Sequence, residues 1–355
     1  MNTGKRYREI EVRGTPLEMG RQLGEAACEE LHEFDAVLLE RANLEFPIER
    51  ETAMSLAARC VQYVENYAPA MLDELRGISQ SSGLTMEQLM LLQVRNQLRP
   101  QRQDEGCTAF ALKSETCKSG STTLGQNWDN DPGLDPFTVI LTRRPQDEPA
   151  HINITQVGRV AYIGFSEAGI GVCLNALPSP SRELGVPHYF TVRGIYQSRS
   201  LEQAVEAVRR AERAIPANIL LSTPQGLADL EVTIDDVHVL HSADNGVLTH
   251  ANHCLHPQLT PVKPEFDDLM QSCERQRRMD ELLSTAAHPF SLEQLQSVLS
   301  DHDEYPTSIC RHPNEDPTTG YCRSVFSVIM EVDEGRMHVS RGNPCDTPYQ
   351  TYRLN

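Results

Sequence analysis

The Gly106-Cys107 peptide bond separates two textures of sequence, and that separation constrains the fold more than any other feature of the chain. Before it, apolar residues recur at helical spacing. After it, short β-branched and aromatic runs alternate with turn residues. Thr15-Pro16-Leu17-Glu18 reads as a capping box with proline at the first helical position. Met19, Leu23, Ala27, Phe34 and Leu38 follow at near-helical intervals. Residues 48–66 and 69–80 predict two further helices. Thr85-Met-Glu-Gln88 opens another, with Leu84 and Leu89 as its hydrophobic staple, and it runs out at Pro100. One short strand, Glu9 to Arg13, precedes them all.

From Cys107 on, strands are expected at 107–112, 122–128, 137–142, 151–156, 160–165 and 169–174, with Glu167-Ala-Gly169 as a turn. Two helices follow, at 189–197 and 201–212, the second opening on Ser200-Leu-Glu-Gln203 as a capping box. Strands return at 218–222, 227–233, 237–240 and 246–249. A charged helix is expected at 264–284, and another starts at Ser291-Leu-Glu-Gln294 with Phe290 and Leu295 as its staple. A loop rich in Asp, Pro and Thr runs from Asp301 to Tyr321, and two last strands fit 324–332 and 336–340. Strands that cluster instead of alternating with helices favour an α+β architecture of two layered sheets with helices outside over a parallel doubly wound one. Neither GxGxxG after a strand nor GxxxxGK[ST] occurs, which leaves a phosphate-cradling nucleotide site without support.

A chain of 355 residues with 39% hydrophobic and 23% charged residues can bury a substantial core. Its formal net charge of -18 argues against nucleic acid or an anionic membrane as partner. No run reaches the ~18 apolar residues of a membrane span, and the polar start Met1 to Ile10 lacks the apolar core of a secretory signal, so a cytoplasmic protein is expected. Ten scattered cysteines without a CxxC pair suggest free thiols in a reducing compartment. His250, His253, Cys254 and His256 form a zinc-like cluster that lacks a second ligand pair at a recognisable spacing. No metal and no cofactor are expected.

The junction itself carries chemistry. The Cys107 thiol can attack the carbonyl of Gly106, where glycine offers least steric obstruction. Cleavage would leave Cys107 with a thiol and an α-amine of pKa ~7.7–8, placing nucleophile and base on one residue. Three more residues supply the parts of an acyl-transfer site: Asp129 to hold the amine, Asn252 as a neutral oxyanion donor, and Arg311 as a cation for substrate or developing charge. Thr108, Trp128 and Ser308 flank these positions. Each has a plainer reading. Asp129 can begin the turn at Asn130-Asp131-Pro132-Gly133, Asn252 can cap a strand end, Arg311 can be a surface arginine, and Trp128 can be core.

These stretches together resemble the acyl-coenzyme A:6-aminopenicillanic acid acyltransferase family, the isopenicillin N acyltransferase type of N-terminal-nucleophile hydrolase. The likeness runs through Arg13–Gly20, Glu74-Leu-Arg-Gly77, Gly106-Cys-Thr108, Gly125-Gln-Asn-Trp-Asp129 and Gly164–Val172. It continues in Asn175-Ala-Leu, His250-Ala-Asn-His-Cys254, Arg275-Gln-Arg-Arg-Met279 and Tyr305–Arg311. The resemblance implies a four-layer αββα sandwich. It implies a proenzyme cut between Gly106 and Cys107 into a helical segment 1–106 and a catalytic segment 107–355 that stay associated. It makes Cys107 the nucleophile with its amine as base, Asp129 the residue that orients that amine or supports cleavage, Asn252 an oxyanion residue with Asn175 as a weaker candidate, and Arg311 a support of the pocket. The implied substrate is a small-molecule amide or acyl thioester, with acyl-coenzyme A entering as substrate. Glu105, Asn130 and Ala251 depart from the family's pattern, and the departures near Asp129 bear on the acyl pocket. A hydrolase of β-alanyl or other N-acyl amines, an inactive binding scaffold, and a Cys-His peptidase using His250 or His253 are the competing readings.

Overall fold

Extended backbone from Arg8 to Gly14 forms strand β1, and Gly14 then turns the chain with φ 108°, a conformation glycine adopts freely. That turn delivers Thr15 as the cap of α1 (Pro16–Ala26). Thr15 accepts from the Glu18 N–H while the Glu18 carboxylate accepts from the Thr15 N–H, which closes the expected box. The computed structural model describes residues 6–44, 47–98, 106–242, 245–259 and 270–354. The polar segment 99–105 and the first part of the expected helix 264–284 lie outside them.

Helices α2 (Cys28–Ala42), α3 (Arg50–Tyr67), α4 (Pro69–Ser82) and α5 (Met86–Val94) complete the first part of the chain. The strands after them are β2 (Gly106–Leu112), β3 (Thr123–Asn130), β4 (Thr138–Pro145), β5 (His151–Gln156), β6 (Ile163–Ser166) and β7 (Gly171–Ala176). Helices α6 (His188–Tyr196) and α7 (Leu201–Arg209) lead to β8 (Ala217–Thr223), β9 (Gly226–Val232), β10 (Val237–His241) and β11 (Val247–His250). Then come α8 (Ser272–Thr285), α9 (Leu292–Leu299), β12 (Arg323–Glu331), β13 (Arg336–Arg341) and β14 (Gln350–Arg353).

Among the described residues the strands form two sheets. One has the order β1-β4-β5-β6-β7-β8-β9-β10, with β1 parallel to β4 and the other pairs antiparallel. The other, β11-β2-β3-β12-β13-β14, is antiparallel throughout. The sheets face each other where β2 and β3 pack on β7 and β8. Helix α1 covers the first sheet at β1 and β4, α7 covers it at β9 and β10, and α8 and α9 cover the second. The mixed α+β architecture is therefore helix, sheet, sheet, helix, as expected from the clustering of strands.

Residues on both sides of Gly106-Cys107 build one core: Leu23, Phe34, Leu72 and Leu92 share a cluster with Leu141, Ile152, Tyr196 and Leu220. Glu74 of α4 ties the two parts electrostatically, accepting from Arg143 Nε at 2.8 Å and Arg193 Nη1 at 3.1 Å, all three side chains buried.

Four details differ from expectation. Ser200 caps α7 by accepting from the Gln203 N–H, but the Gln203 side chain accepts from Arg199 N, so that box does not close. Helix α8 starts at Ser272, because Met270 and Gln271 hold left-handed φ values of 50° and 57° that a helix cannot contain. The strand expected at 160–165 begins only at Ile163. The edge strand β14 was not anticipated: four residues are too few to show alternation.

Candidate active site

In the antiparallel pair β2–β3, Gly106 stands opposite Asp129, Cys107 opposite Trp128 and Thr108 opposite Asn127. Alternation then sorts the side chains by face. Cys107, Ala109 and Trp128 belong to the core between the sheets, whereas Phe110 belongs to the cluster under α8 and α9. Asn127 donates to the carbonyls of Leu299 and Ile309 on that second side. Cys107 is 1% exposed. Beside it, Trp128 stacks on Phe326 with ring centroids 5.0 Å apart and meets Tyr162 edge-on at 5.9 Å. Trp128 is thus core and, at the same time, the wall next to the thiol.

The Cys107 backbone N–H donates to Asn252 Oδ1 at 2.8 Å. The same oxygen accepts from Arg275 Nη2 at 2.8 Å, while Asn252 Nδ2 donates to the Ala176 carbonyl at 3.0 Å. Two donors on one atom and an acceptor facing the other fix the orientation of this amide. The Asn252 N–H donates to Ser272 Oγ at 2.6 Å, so the first residue of α8 anchors the loop. Asn252 therefore holds the cysteine nitrogen, and one of its two Nδ2 donors is engaged by Ala176. Asn175 likewise spends its Nδ2 on Asn218 Oδ1 and the His250 carbonyl, with no hydrogen-bond partner at its buried Oδ1 among the described residues.

Arg275 is the residue that sequence reasoning did not single out. Its Nη1 donates to the Cys107 carbonyl at 2.5 Å and to Thr108 Oγ1 at 2.7 Å, and its Nε donates to the Met270 carbonyl at 2.8 Å. It is 1% exposed. The signal was present in the spacing. Ser272, Arg275, Gln276, Met279 and Leu283 form the buried stripe of α8, so Met279 and Leu283 put Arg275 inside and leave Arg277 outside.

Asp129 lies on the helix side of the sheet, across from Gly106. It accepts from Ser324 Oγ at 2.6 Å, and its Oδ2 is buried without a hydrogen-bond partner among the described residues. Burial raises its pKa above the ordinary carboxylate range, and the pull of Arg275, Ser324 and Arg311 offsets only part of that. Arg311 is fully buried, which removes the surface alternative. Its Nη1 donates to Gln271 Oε1 at 3.0 Å, and its N–H donates to Ser324 Oγ at 3.0 Å. Burial lowers its pKa against the attraction of Asp129. The turn after Asp129 begins at Asp131, whose side chain accepts from Gly133 N. Ser308 Oγ donates to the Cys310 carbonyl at 2.9 Å and shapes the loop that carries Arg311.

The histidines of the 250–256 stretch are structural anchors. His250 Nε2 meets Glu231 Oε1 at 3.0 Å and its Nδ1 meets the Ala251 carbonyl at 2.8 Å. Burial opposes its charge, but Asp229 and Glu231 win and hold its pKa above the ordinary value. Glu231 also accepts from the backbone N–H groups of Leu255 and His256, which fixes the loop after Asn252. His253 Nδ1 pairs with Ser272 Oγ at 2.7 Å.

A small depression with a cavity volume of about 10 Å³ opens beside this arrangement, lined by Tyr162, Leu174, Asn175, Ala176, His188 and Ile215 among others. Tyr162 connects it to Trp128, and Ala176 connects it to Asn252. Burial pushes the His188 pKa down to about 3, so that wall is neutral near pH 7.

Residues 116–346 match the acyl-coenzyme A:6-aminopenicillanic acid acyl-transferase family. The chain is 27% identical over 351 residues to the 40 kDa form of acyl-coenzyme A:6-aminopenicillanic-acid-acyltransferase from Emericella nidulans, covering 97% of this chain and 94% of that protein. Similar solved structures include a conjugated bile acid hydrolase variant from Clostridium perfringens (13% identity, TM-score 0.48, 70% of this chain and 97% of the other). Penicillin V acylase from Agrobacterium tumefaciens is another (12% identity, TM-score 0.47, 70% and 86%).

Proposed function

Because the chain belongs to the acyl-coenzyme A:6-aminopenicillanic acid acyl-transferase family, we propose that it is a self-cleaving cysteine enzyme that moves acyl groups through an acyl-Cys107 intermediate. It acts on carbon–nitrogen amide bonds, as an acyltransferase or amidohydrolase. The observation that carries the reading is the clamp on Cys107: Asn252 on its nitrogen, Arg275 on its carbonyl, and Trp128 beside its side chain.

In the first stage the Cys107 sulfur attacks the Gly106 carbonyl carbon. The C–N bond breaks, the nitrogen takes a proton, and a thioester joins Gly106 to the sulfur. Water then cleaves the thioester, giving a Gly106 carboxylate, a free thiol and a free α-amine. Arg275 supports this stage by fixing the backbone on the far side of Cys107. Asp129, opposite Gly106, balances the charges of Arg275 and Arg311.

In the second stage the α-amine accepts the thiol proton. Asn252 Oδ1 suits an amine as well as an amide, since it accepts an N–H and leaves the nitrogen lone pair for the sulfur. The thiolate attacks the substrate carbonyl, expels the amine or thiol leaving group, and the acyl-enzyme passes to water or to an amine. The Ala176 carbonyl takes one of the two N–H donors of Asn252 Nδ2, and the other is the one that would serve an oxyanion.

A Cys-His mechanism through His250 is disfavoured, because both its ring nitrogens face acceptors, Glu231 Oε1 and the Ala251 carbonyl, and neither is turned to Cys107 as a base. The test is to incubate purified protein with a mixed library of amides and acyl thioesters, with and without acceptor amines, and to weigh the fragment starting at Cys107. An acyl adduct there supports the reading. Turnover without any adduct, undiminished in Cys107→Ala, ends it. Product formed only when an amine is present marks a transferase, and product in its absence marks a hydrolase.

A further inference from the structure

The loop between α9 and β12 meets the segment after β13, and together they gather four side chains that the acyl-transfer chemistry does not use: His302, Cys310 and His312 from the loop and Cys345 from the segment. Each offers one ligand atom, and the four atoms lie within 4.8 Å of one another. The separations are 3.1 Å between His302 Nε2 and His312 Nε2, and 3.5 Å between the two sulfurs. His312 Nε2 lies 3.7 Å from Cys310 Sγ and 3.5 Å from Cys345 Sγ. Zinc bound at ~2.3 Å from sulfur and ~2.0–2.1 Å from nitrogen sets tetrahedral ligands roughly 3.3–3.8 Å apart. These four edges fall on or just below that range, and the two from His302 to the sulfurs, within 4.8 Å, would close onto a bound ion by a small turn of that exposed ring.

We propose that His302, Cys310, His312 and Cys345 form a structural zinc site that ties the loop before β12 to the segment after β13. Two thiolates and two imidazoles are a soft, four-ligand set that suits zinc and leaves no open position for substrate or water. The backbone is already bent to present them. Cys310 N donates to the Asp301 carbonyl at 3.0 Å and His312 N to the Pro306 carbonyl at 2.9 Å. Asn343 Nδ2 reaches both Cys310 Sγ at 3.5 Å and the Arg311 carbonyl at 2.6 Å, an outer-shell contact of the kind that orients a thiolate ligand. The spacing hid the site, because Cys345 is far along the chain and no ligand pair resembles a zinc-finger repeat. Arg311 sits between two of the ligands, so the ion fixes the backbone from which that guanidinium reaches toward Asp129. The site needs nothing of the acyl-transfer reading.

The experiment is elemental analysis of the full chain, purified in reductant and dialysed against metal-free buffer after loading with zinc chloride. About one zinc per chain is expected. Cobalt(II) in its place should give thiolate charge-transfer bands and intense tetrahedral d–d bands. His302→Ala, at an exposed ligand, and Cys345→Ser should each weaken zinc binding at least about tenfold, the loss that follows even from removing an outer-shell partner. Circular dichroism verifies that each variant is folded, and His302→Ala keeps the test open if a cysteine variant is not. A folded chain that retains no zinc and gives no cobalt spectrum overturns the proposal. So does zinc retained equally by both variants, or a Cys310–Cys345 disulfide found by peptide mapping of the native protein.

Discussion

Arg275 satisfies four acceptors from one buried guanidinium, and two of them, the Cys107 carbonyl and Asn252 Oδ1, belong to the clamp on Cys107. Lysine cannot reproduce that fork. Arg275→Lys should slow cleavage at Gly106-Cys107 by ~10²–10³-fold, the scale of one lost active-site donor, read as the ratio of intact chain to fragments over time. Cleavage at the parental rate would remove Arg275 from the machinery. Asp129 offers a second test. Its folded pKa lies above the unfolded one, so its contribution to stability is present at low pH and lost as pH rises through the folded pKa. Asp129→Asn should therefore be no less stable than the parent at neutral pH by urea titration, yet cleave poorly, because Arg275 and Arg311 lose their counter-charge. A variant that is both unstable and active contradicts this. At this scale the sequence pointed to Cys107, Asp129, Asn252 and Arg311, and the structure buries all four. Their roles were less legible: the sequence could not tell that Asn252 and not Asp129 holds the cysteine nitrogen, which depends on Cys107 and Asp129 lying on opposite faces of neighbouring strands.

Helices α1 and α4 cross where Gly20 and Gly77 remove any side chain. A Cβ on Gly77 would stand 2.3 Å from the Leu17 carbonyl oxygen, and one on Gly20 would stand 1.9 Å from that of Glu74. Gly77→Ala should cost ~1–3 kcal/mol in urea unfolding through forced separation of the helices, and an unchanged midpoint would contradict the close crossing. This crossing accounts physically for two stretches noted in the sequence, Arg13–Gly20 and Glu74–Gly77. Capping boxes were the most legible local feature, since they depend on residues three apart: those at Thr15, Thr85 and Ser291 close as read. The one at Ser200 does not, because Gln203 finds the Arg199 N–H instead. The start of α8 was beyond reach of local pattern, as nothing in Met270-Gln271 announces left-handed backbone.

The two parts of the chain hold together through a shared core and through Glu74, buried between Arg143 and Arg193. Burial raises the Glu74 pKa, but the two arginines outweigh it and keep the carboxyl below its usual range. That contribution is present above the unfolded pKa and lost as pH falls through the folded one. Glu74→Gln should destabilise by ~3–5 kcal/mol, since it strands two buried guanidinium groups. Calorimetry should also show the parent losing stability in acid more steeply than the variant. At this scale the layered architecture was legible because strands cluster in the sequence. Strand order, and the parallel docking of β1 beside β4, was not, because such pairings join residues more than a hundred positions apart. The central claim is tested most directly by weighing freshly purified protein under denaturing conditions and sequencing its N-termini. The account predicts two polypeptides, 1–106 and 107–355, the second beginning at Cys107, and one intact chain in Cys107→Ala. An active preparation that contains only the uncut chain would contradict it.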